Sequence, residues 1–275
     1  MACLQGGMSM YSFNYHRPTS LDVAAKLRAD CEDAVFLAGG QTLIPTLKQR
    51  LAAPTDVIDL SGVAGLIGID INDKRVVIGA MTRHAEVARS SALRKVVPVL
   101  CNLAAQIGDG QVRNRGTIGG SIANSDPAAD YPAAVIGLGA TLHTNKRAIA
   151  AADYFRDLFE TALDPGEIVK AIEFPVPKRA AYCKFPNPAS RYAVAGVLVA
   201  DFAGKIRVGV TGAGPCAFRA VNLEHALNAK LAPQAVDEVE IDYERFNNDL
   251  HATAEFRANL VRVMARRAVA ALIAL

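Results

Sequence analysis

Two double-glycine segments, Leu37-Ala38-Gly39-Gly40-Gln41-Thr42 and Thr117-Ile118-Gly119-Gly120-Ser121, stand eighty positions apart in this chain, each with a hydroxyl residue beside its glycines. Glycine has no Cβ, so its backbone can approach a ligand closely and take φ values that other residues avoid. Successive N–H groups can then converge on one anion. Either pair alone reads most simply as a turn. Together, with Thr42, Thr117 and Ser121 alongside, they point to a grip on the two phosphates of a dinucleotide. The GxGxxG pattern of the Rossmann fold is absent, and Gly137-Leu138-Gly139 does not complete it, so another nucleotide-binding architecture is needed.

The pattern around the first pair predicts a strand over 34–38 followed by a helix on which Leu43, Leu47 and Leu51 recur, with Pro45 in its opening turn. Strands are predicted over 57–60 and 75–80. Thr82 is the expected N-cap of a helix running to Arg89, and a further helix is expected over 93–106. The stretch 108–120 is too glycine-dense for the interior of a regular element. Helix and strand return over 133–142, and a strand over 167–174 stops at Pro175-Val176-Pro177, where a domain boundary is expected. Beyond it, strands over 192–202 and 205–212 turn at Ala203-Gly204, and helices over 219–228 and 253–275 complete a small α+β domain. Phe256, Leu260, Val263 and Met264 on the last helix offer a face for their own domain or for another subunit, and packing on their own core is the expectation.

Composition removes several classes of function. At 275 residues the chain has room for one or two domains, and the pattern favours two. The net charge of +3 is small and scattered, which argues against nucleic acid as a partner. Charges such as Arg257, Arg262, Arg266 and Arg267 interrupt the apolar stretches, so no transmembrane segment is expected. The segment 1–10 lacks the pattern of a secretory signal, and a cytoplasmic location is expected. The five cysteines, Cys3, Cys31, Cys101, Cys183 and Cys216, form no CxxC pair and have no histidine at metal-ligand spacing, so no metal site or iron–sulfur cluster is expected in this chain. His84 and His143 read as structural. Arg113 and Arg115 flank Asn114 in a loop that is either solvated or steers phosphate or a partner.

A family resemblance runs through the chain. The segments Leu37-Ala38-Gly39-Gly40-Gln41-Thr42-Leu43-Ile44-Pro45, Val57-Ile58-Asp59-Leu60, Ile78-Gly79-Ala80-Met81-Thr82 and Gln111-Val112-Arg113-Asn114-Arg115-Gly116-Thr117-Ile118-Gly119-Gly120-Ser121-Ile122-Ala123-Asn124 carry it. So do Asp126-Pro127-Ala128-Ala129-Asp130, Glu167-Ile168-Val169 and Lys184-Phe185-Pro186-Asn187-Pro188-Ala189-Ser190-Arg191-Tyr192. The chain resembles, over nearly its whole length, the FAD-binding medium subunit of molybdenum hydroxylases, the family of xanthine dehydrogenase and aerobic carbon monoxide dehydrogenase.

The resemblance implies an α+β protein. A vanillyl-alcohol-oxidase (PCMH)-type FAD domain over 1–177, in two α/β subdomains of about 1–60 and 61–177, would precede a C-terminal domain of the CO dehydrogenase flavoprotein type over 178–275. It implies non-covalent FAD, its pyrophosphate wrapped by Leu37, Ala38, Gly39, Gly40, Gln41, Thr42, Leu43 and Ile44 and by Thr117, Ile118, Gly119, Gly120 and Ser121. Asn124 would lie in the intervening loop, Ile107 beside the isoalloxazine, and Val169 and Lys184 at further contacts. Asp130 would contact the cofactor, or serve as the N-cap of the helix that follows. Ser121 stands where the family usually has Asn, and Pro186 where many relatives carry a basic residue. No catalytic side chain is implied.

The same resemblance implies an electron-transfer subunit. A molybdopterin-containing large subunit and an iron–sulfur small subunit with [2Fe-2S] clusters would be its partners, in a dimer of heterotrimers. NAD, a quinone or oxygen would be the terminal acceptor. The choice of substrate, whether carbon monoxide, an aldehyde, a purine or another nitrogen heterocycle, would lie in another chain. A self-sufficient flavin oxidoreductase and a non-catalytic assembly subunit are the alternatives.

Overall fold

Three short strands, Asn14–His16, Ala34–Leu37 and Asp56–Asp59, pair in parallel with Asp56–Asp59 in the middle. In the computed structural model, which describes residues 10–275, Asn14 and Ala34 both lie opposite Asp56. The strands therefore start at one edge of the sheet and finish at the other, where Leu37 runs directly into the first glycine pair. Helix Leu21–Asp30 connects the first two strands, and the Ser20 hydroxyl caps it by accepting the Val23 N–H at 3.3 Å. The segment 1–9, which includes Cys3, lies outside the described residues.

A five-stranded antiparallel sheet follows, in the order Ile69–Ile71, Arg75–Gly79, Val169–Pro175, Thr141–Thr144, Ala148–Ala150. Val76, Ile78, Ile172 and Phe174 from this sheet share one buried cluster with Leu100, Leu103, Tyr131 and Leu138 from helices. The segment Pro175-Val176-Pro177 joins this sheet to a second one of four strands, Arg179–Pro186, Ala193–Phe202, Lys205–Thr211 and Phe218–Arg219. Helix Tyr131–Leu138 packs on the two middle strands of that second sheet, and helix Ala254–Ile273 also packs on it. Tyr182, Leu198 and Ala200 consequently belong to the same cluster as the five-stranded sheet, while Val197, Val199 and Val210 pack with Leu260, Met264 and Leu272. Alternation along the strands sends these residues to opposite faces.

Several sequence expectations are corrected. The helix expected to carry Leu51 is Leu43–Lys48; Leu51 is 74% exposed beyond its end. The helix expected over 93–106 is two, Ser91–Val96 and Pro98–Ala105, because the residue before Pro98 is driven out of the helical region, with Val97 at φ −135° and ψ 71°. Thr82 is not a cap: its hydroxyl accepts the Gly68 N–H at 3.0 Å and donates to the Gly68 carbonyl at 3.1 Å. Arg83 takes the N-cap position of helix His84–Arg89, and its N–H donates to Glu86 at 2.8 Å. The glycine-dense stretch holds two short helices, Gly110–Arg115 and Ile118–Asn124, started by Asp109 and Thr117 side chains that accept backbone N–H groups. The strands Asn14–His16, Ile69–Ile71, Ala148–Ala150 and Arg179–Pro186 add to those that the sequence pattern predicts. Phe256, expected in its own core, is 44% exposed and meets Phe185 edge to face.

Candidate functional site

The parallel sheet delivers the first glycine pair to the mouth of a cleft of about 650 Å³. Ala38, Gly39, Gly40, Gln41, Thr42 and Leu43 line it on one side, and Thr117, Gly119, Gly120, Ser121 and Asn124 on the other. Ile107, Asp130 and Val169 line it further along, so residues far apart in sequence share one cavity of the size that takes a cofactor. Four expected site residues do not line it. Leu37 ends its strand, Ile118 is fully buried, and Ile44 packs beneath Gly40. Lys184 acts through Asp130, as described below.

The two glycine pairs do different work. Among the described residues, the N–H groups of Gly39, Gly40, Gln41 and Thr42 have no protein acceptor. Gly40 sits at φ +71°, the left-handed region that favours glycine, and all four of these residues line the cleft. Unpaired backbone donors in a concave turn are the chemistry of an anion cradle, and a diphosphate fits it. In the second pair the N–H groups are already used. Ile118 donates to the Thr82 carbonyl at 3.0 Å, Gly119 to Ala80 at 2.8 Å, Gly120 to the Thr117 hydroxyl at 3.2 Å and Ser121 to the Thr117 carbonyl at 3.0 Å.

The requirement for glycine there is steric. A Cβ on Gly119 would meet Ala80, and one on Gly120 would lie 3.3 Å from the Ala38 Cβ, so the glycines let helix Ile118–Asn124 close against the first loop. Gly39 packs just as tightly, against the Arg115 carbonyl and Gly116. Ser121, from the second segment, lines the cleft.

Cations pin the wall that carries Ile107. Arg113 donates to the Ile107 carbonyl at 2.9 Å and to Gly108 at 3.1 Å, Arg191 to Gly108 at 3.2 Å, and Lys184 to the Gln106 carbonyl at 3.0 Å. Arg113 is thus engaged with backbone rather than solvated. Asp130 occupies the N-cap position of helix Tyr131–Leu138, yet its side chain makes no capping bond. It instead accepts from the Tyr182 hydroxyl at 2.6 Å and from Lys184, whose Nζ lies 2.9 Å from Oδ1. Burial pushes the Asp130 carboxyl up, opposed by Lys184 and Tyr182. Lys184 is thereby tied to Asp130 rather than open to the cleft.

Sequence reasoning missed other lining residues, among them Met81, His84, Glu167, Arg191 and Tyr192. Burial, with the nearby Arg113 charge, pushes His84 down to about 4, and its Nδ1 has no partner among the described residues. Burial acts to raise Glu167, but Arg147, the Thr144 hydroxyl and the Asp164 N–H together hold it at about 2. Arg191 and Tyr192 stood within a segment that carried the resemblance, but no spacing rule singles out an exposed loop residue.

Comparison with known proteins decides the family. Residues 11–177 match the family described as the FAD binding domain in molybdopterin dehydrogenase. The chain belongs to that family. It is 35% identical to the carbon monoxide dehydrogenase medium chain of Afipia carboxidovorans, over 94% of this chain and 96% of that one. It is 32% identical to the glyceraldehyde dehydrogenase medium chain of Sulfolobus acidocaldarius, over 93% and 96%. The crystal structure of a Cu,Mo-CO dehydrogenase in its cyanide-inactivated form contains a chain with a TM-score of 0.88 and 35% identity, over 97% of this chain and 99% of that one. The α+β fold is therefore that of a CO dehydrogenase medium subunit. The chain is an FAD-binding medium subunit of the molybdenum hydroxylase type, an oxidoreductase component. The molybdenum cofactor and iron–sulfur clusters of such complexes belong to other subunits. Among the described residues no helix is long and apolar enough to cross a membrane.

Proposed function

We propose that this chain holds FAD non-covalently in the cleft, with the diphosphate in the arc of N–H groups from Gly39 to Thr42. That arc, four neighbouring donors without a protein acceptor, is the observation that carries the reading. Ala38, Leu43, Thr117, Gly119, Gly120, Ser121 and Asn124 shape the phosphate end, with Ser121 offering its hydroxyl. Leu37, Ile44 and Ile118 support the two loops from beneath. Ile107 and Val169 present apolar surface for the ring system, and the Lys184–Asp130–Tyr182 group fixes the wall between them. Bound FAD supplies two-electron redox chemistry that can be loaded and unloaded one electron at a time. The residues of this chain bind it, orient it and shield one side from water.

On this reading the chain is an electron-transfer station. Electrons arrive from an iron–sulfur small subunit, after oxidation of a substrate by a molybdopterin-containing large subunit, and leave to NAD, a quinone or oxygen. The assembly is a cytoplasmic dimer of heterotrimers. The chain itself divides into an FAD domain over 1–177 and a C-terminal domain over 178–275. The relatives named for carbon monoxide and glyceraldehyde have medium chains of this kind, which supports placing the choice of substrate in another subunit.

Tagged chain purified alone and with its native partners tests this. The chain alone is expected to be yellow, with FAD and without iron or molybdenum. In the complex its flavin should be reduced on adding substrate. Purification without bound flavin, or flavin in the complete complex that substrate never reduces, contradicts the assignment.

A further inference from the structure

At the far edge of the parallel sheet, three side chains with metal-binding atoms meet. His16, Cys31 and Asp56 each place one such atom within 4.8 Å of the other two. His16 ends the strand Asn14–His16, Cys31 closes helix Leu21–Asp30, and Asp56 opens the strand Asp56–Asp59. Asp56 lies where the strands begin, whereas the glycine loop leaves from the edge where they end. None of the three lines the cleft.

The donor set is chemically selective. An imidazole nitrogen, a thiolate and a carboxylate make a mixed N/S/O group that suits Zn²⁺ in tetrahedral coordination, with water in the fourth position. Bonds of about 2.0 to 2.3 Å would hold the ligand atoms roughly 3.3 to 3.8 Å apart, so atoms now within 4.8 Å would close by up to about 1 Å while His16 Nε2 and Asp56 Oδ1, at 2.7 Å, would part by roughly half an ångström. The carboxylate is already oriented: Asp56 accepts from the Thr55 hydroxyl at 2.7 Å and from Asn14 at 3.1 Å, while the direct His16 Nε2 contact to its Oδ1 at 2.7 Å would give way to the metal. Such outer hydrogen bonds hold a metal-binding carboxylate in place. Asp56 is buried while His16 and Cys31 are half-buried, which leaves a path for a cation to enter.

The elements that meet here bury few residues fully, although the strand pairs with Asp56–Asp59, and Leu21, Ala25 and Leu27 pack against the local core. Ala24 is the one fully buried residue of helix Leu21–Asp30, and the strand Asn14–His16 has no buried residue. We propose that His16, Cys31 and Asp56 form a zinc site that clips this helix and this strand to the middle strand of the sheet. On binding, the Cys31 thiol releases its proton to solvent and binds as thiolate, His16 binds as neutral imidazole, and no electron is transferred. Sequence spacing could not reveal the site, because its ligands come from three separate elements.

Equilibrium dialysis of the full flavin-loaded chain against zinc chloride, with metal analysis and a thermal melt, tests it. The native chain should take up one zinc per molecule and melt at a higher temperature. Cys31→Ser and His16→Gln, each at a half-buried position, should each weaken zinc binding by about tenfold or more, with flavin content unchanged. No zinc uptake at micromolar free zinc, equal uptake by the native chain and both variants, or uptake without a rise in melting temperature would each overturn the proposal.

Discussion

A side chain at Gly39 would point into protein rather than into the cleft. Its Cβ would meet the Arg115 carbonyl oxygen and lie 2.7 Å from the Gly116 Cα, both backbone atoms that cannot step aside. Gly39→Ala is therefore expected to cost stability by about 1 to 3 kcal/mol, as overpacking does, seen as a lower midpoint in urea even without flavin. His84 gives a second prediction at this scale. Its pKa falls from 6.5 to about 4 on folding, chiefly through burial. As pH falls from about 6.5 towards 4, the unfolded chain takes up a proton that the folded chain refuses, so stability conferred by neutral His84 is present above this window and lost through it. Urea midpoints measured across that range should fall more steeply for the native chain than for His84→Gln. Parallel curves contradict this account of His84.

Between elements, a buried link near the cleft joins strand Arg179–Pro186 to the N-cap of helix Tyr131–Leu138 through Lys184, Tyr182 and Asp130. The Asp130 and Lys184 side chains are each 4% exposed. Lys184→Met would leave a buried carboxylate without its cation, at a cost of about 3 to 5 kcal/mol by denaturant unfolding. Adding Asp130→Asn should recover part of that loss. This link also shows what a sequence withholds. The sequence shows an acidic residue before a helical run at Asp130, and that position is the N-cap; that its carboxylate turns away to a strand more than fifty residues on is a tertiary fact. Strand Arg179–Pro186 was invisible for a related reason. Covered by helix Ala254–Ile273 and by its neighbours, it shows no apolar alternation and ends in a proline. Strands of three residues, such as Asn14–His16, are too short to show a period. The glycine pairs were legible as a shared site, whereas the division between free and occupied N–H groups depends in part on Thr82 and Ala80 approaching from elsewhere to accept from Ile118 and Gly119.

For the molecule as a whole, the parallel sheet presents the first loop, the five-stranded sheet and its helices hold the second segment against it, and the C-terminal sheet supplies Lys184 and Tyr182 to the wall between. The family resemblance was readable because its motifs mark these junctions; the physical role of each junction became readable only from the fold. The central claim is that donors on the backbone from Gly39 to Thr42 hold FAD through its diphosphate. Comparing FAD with riboflavin, which shares the ring system and lacks the diphosphate, by equilibrium titration of the apoprotein tests this most directly. Two or more hydrogen bonds to a charged group, at about 1.5 to 3 kcal/mol each, predict that FAD binds on the order of a hundredfold or more tighter. Equal affinity for the two would contradict the diphosphate cradle.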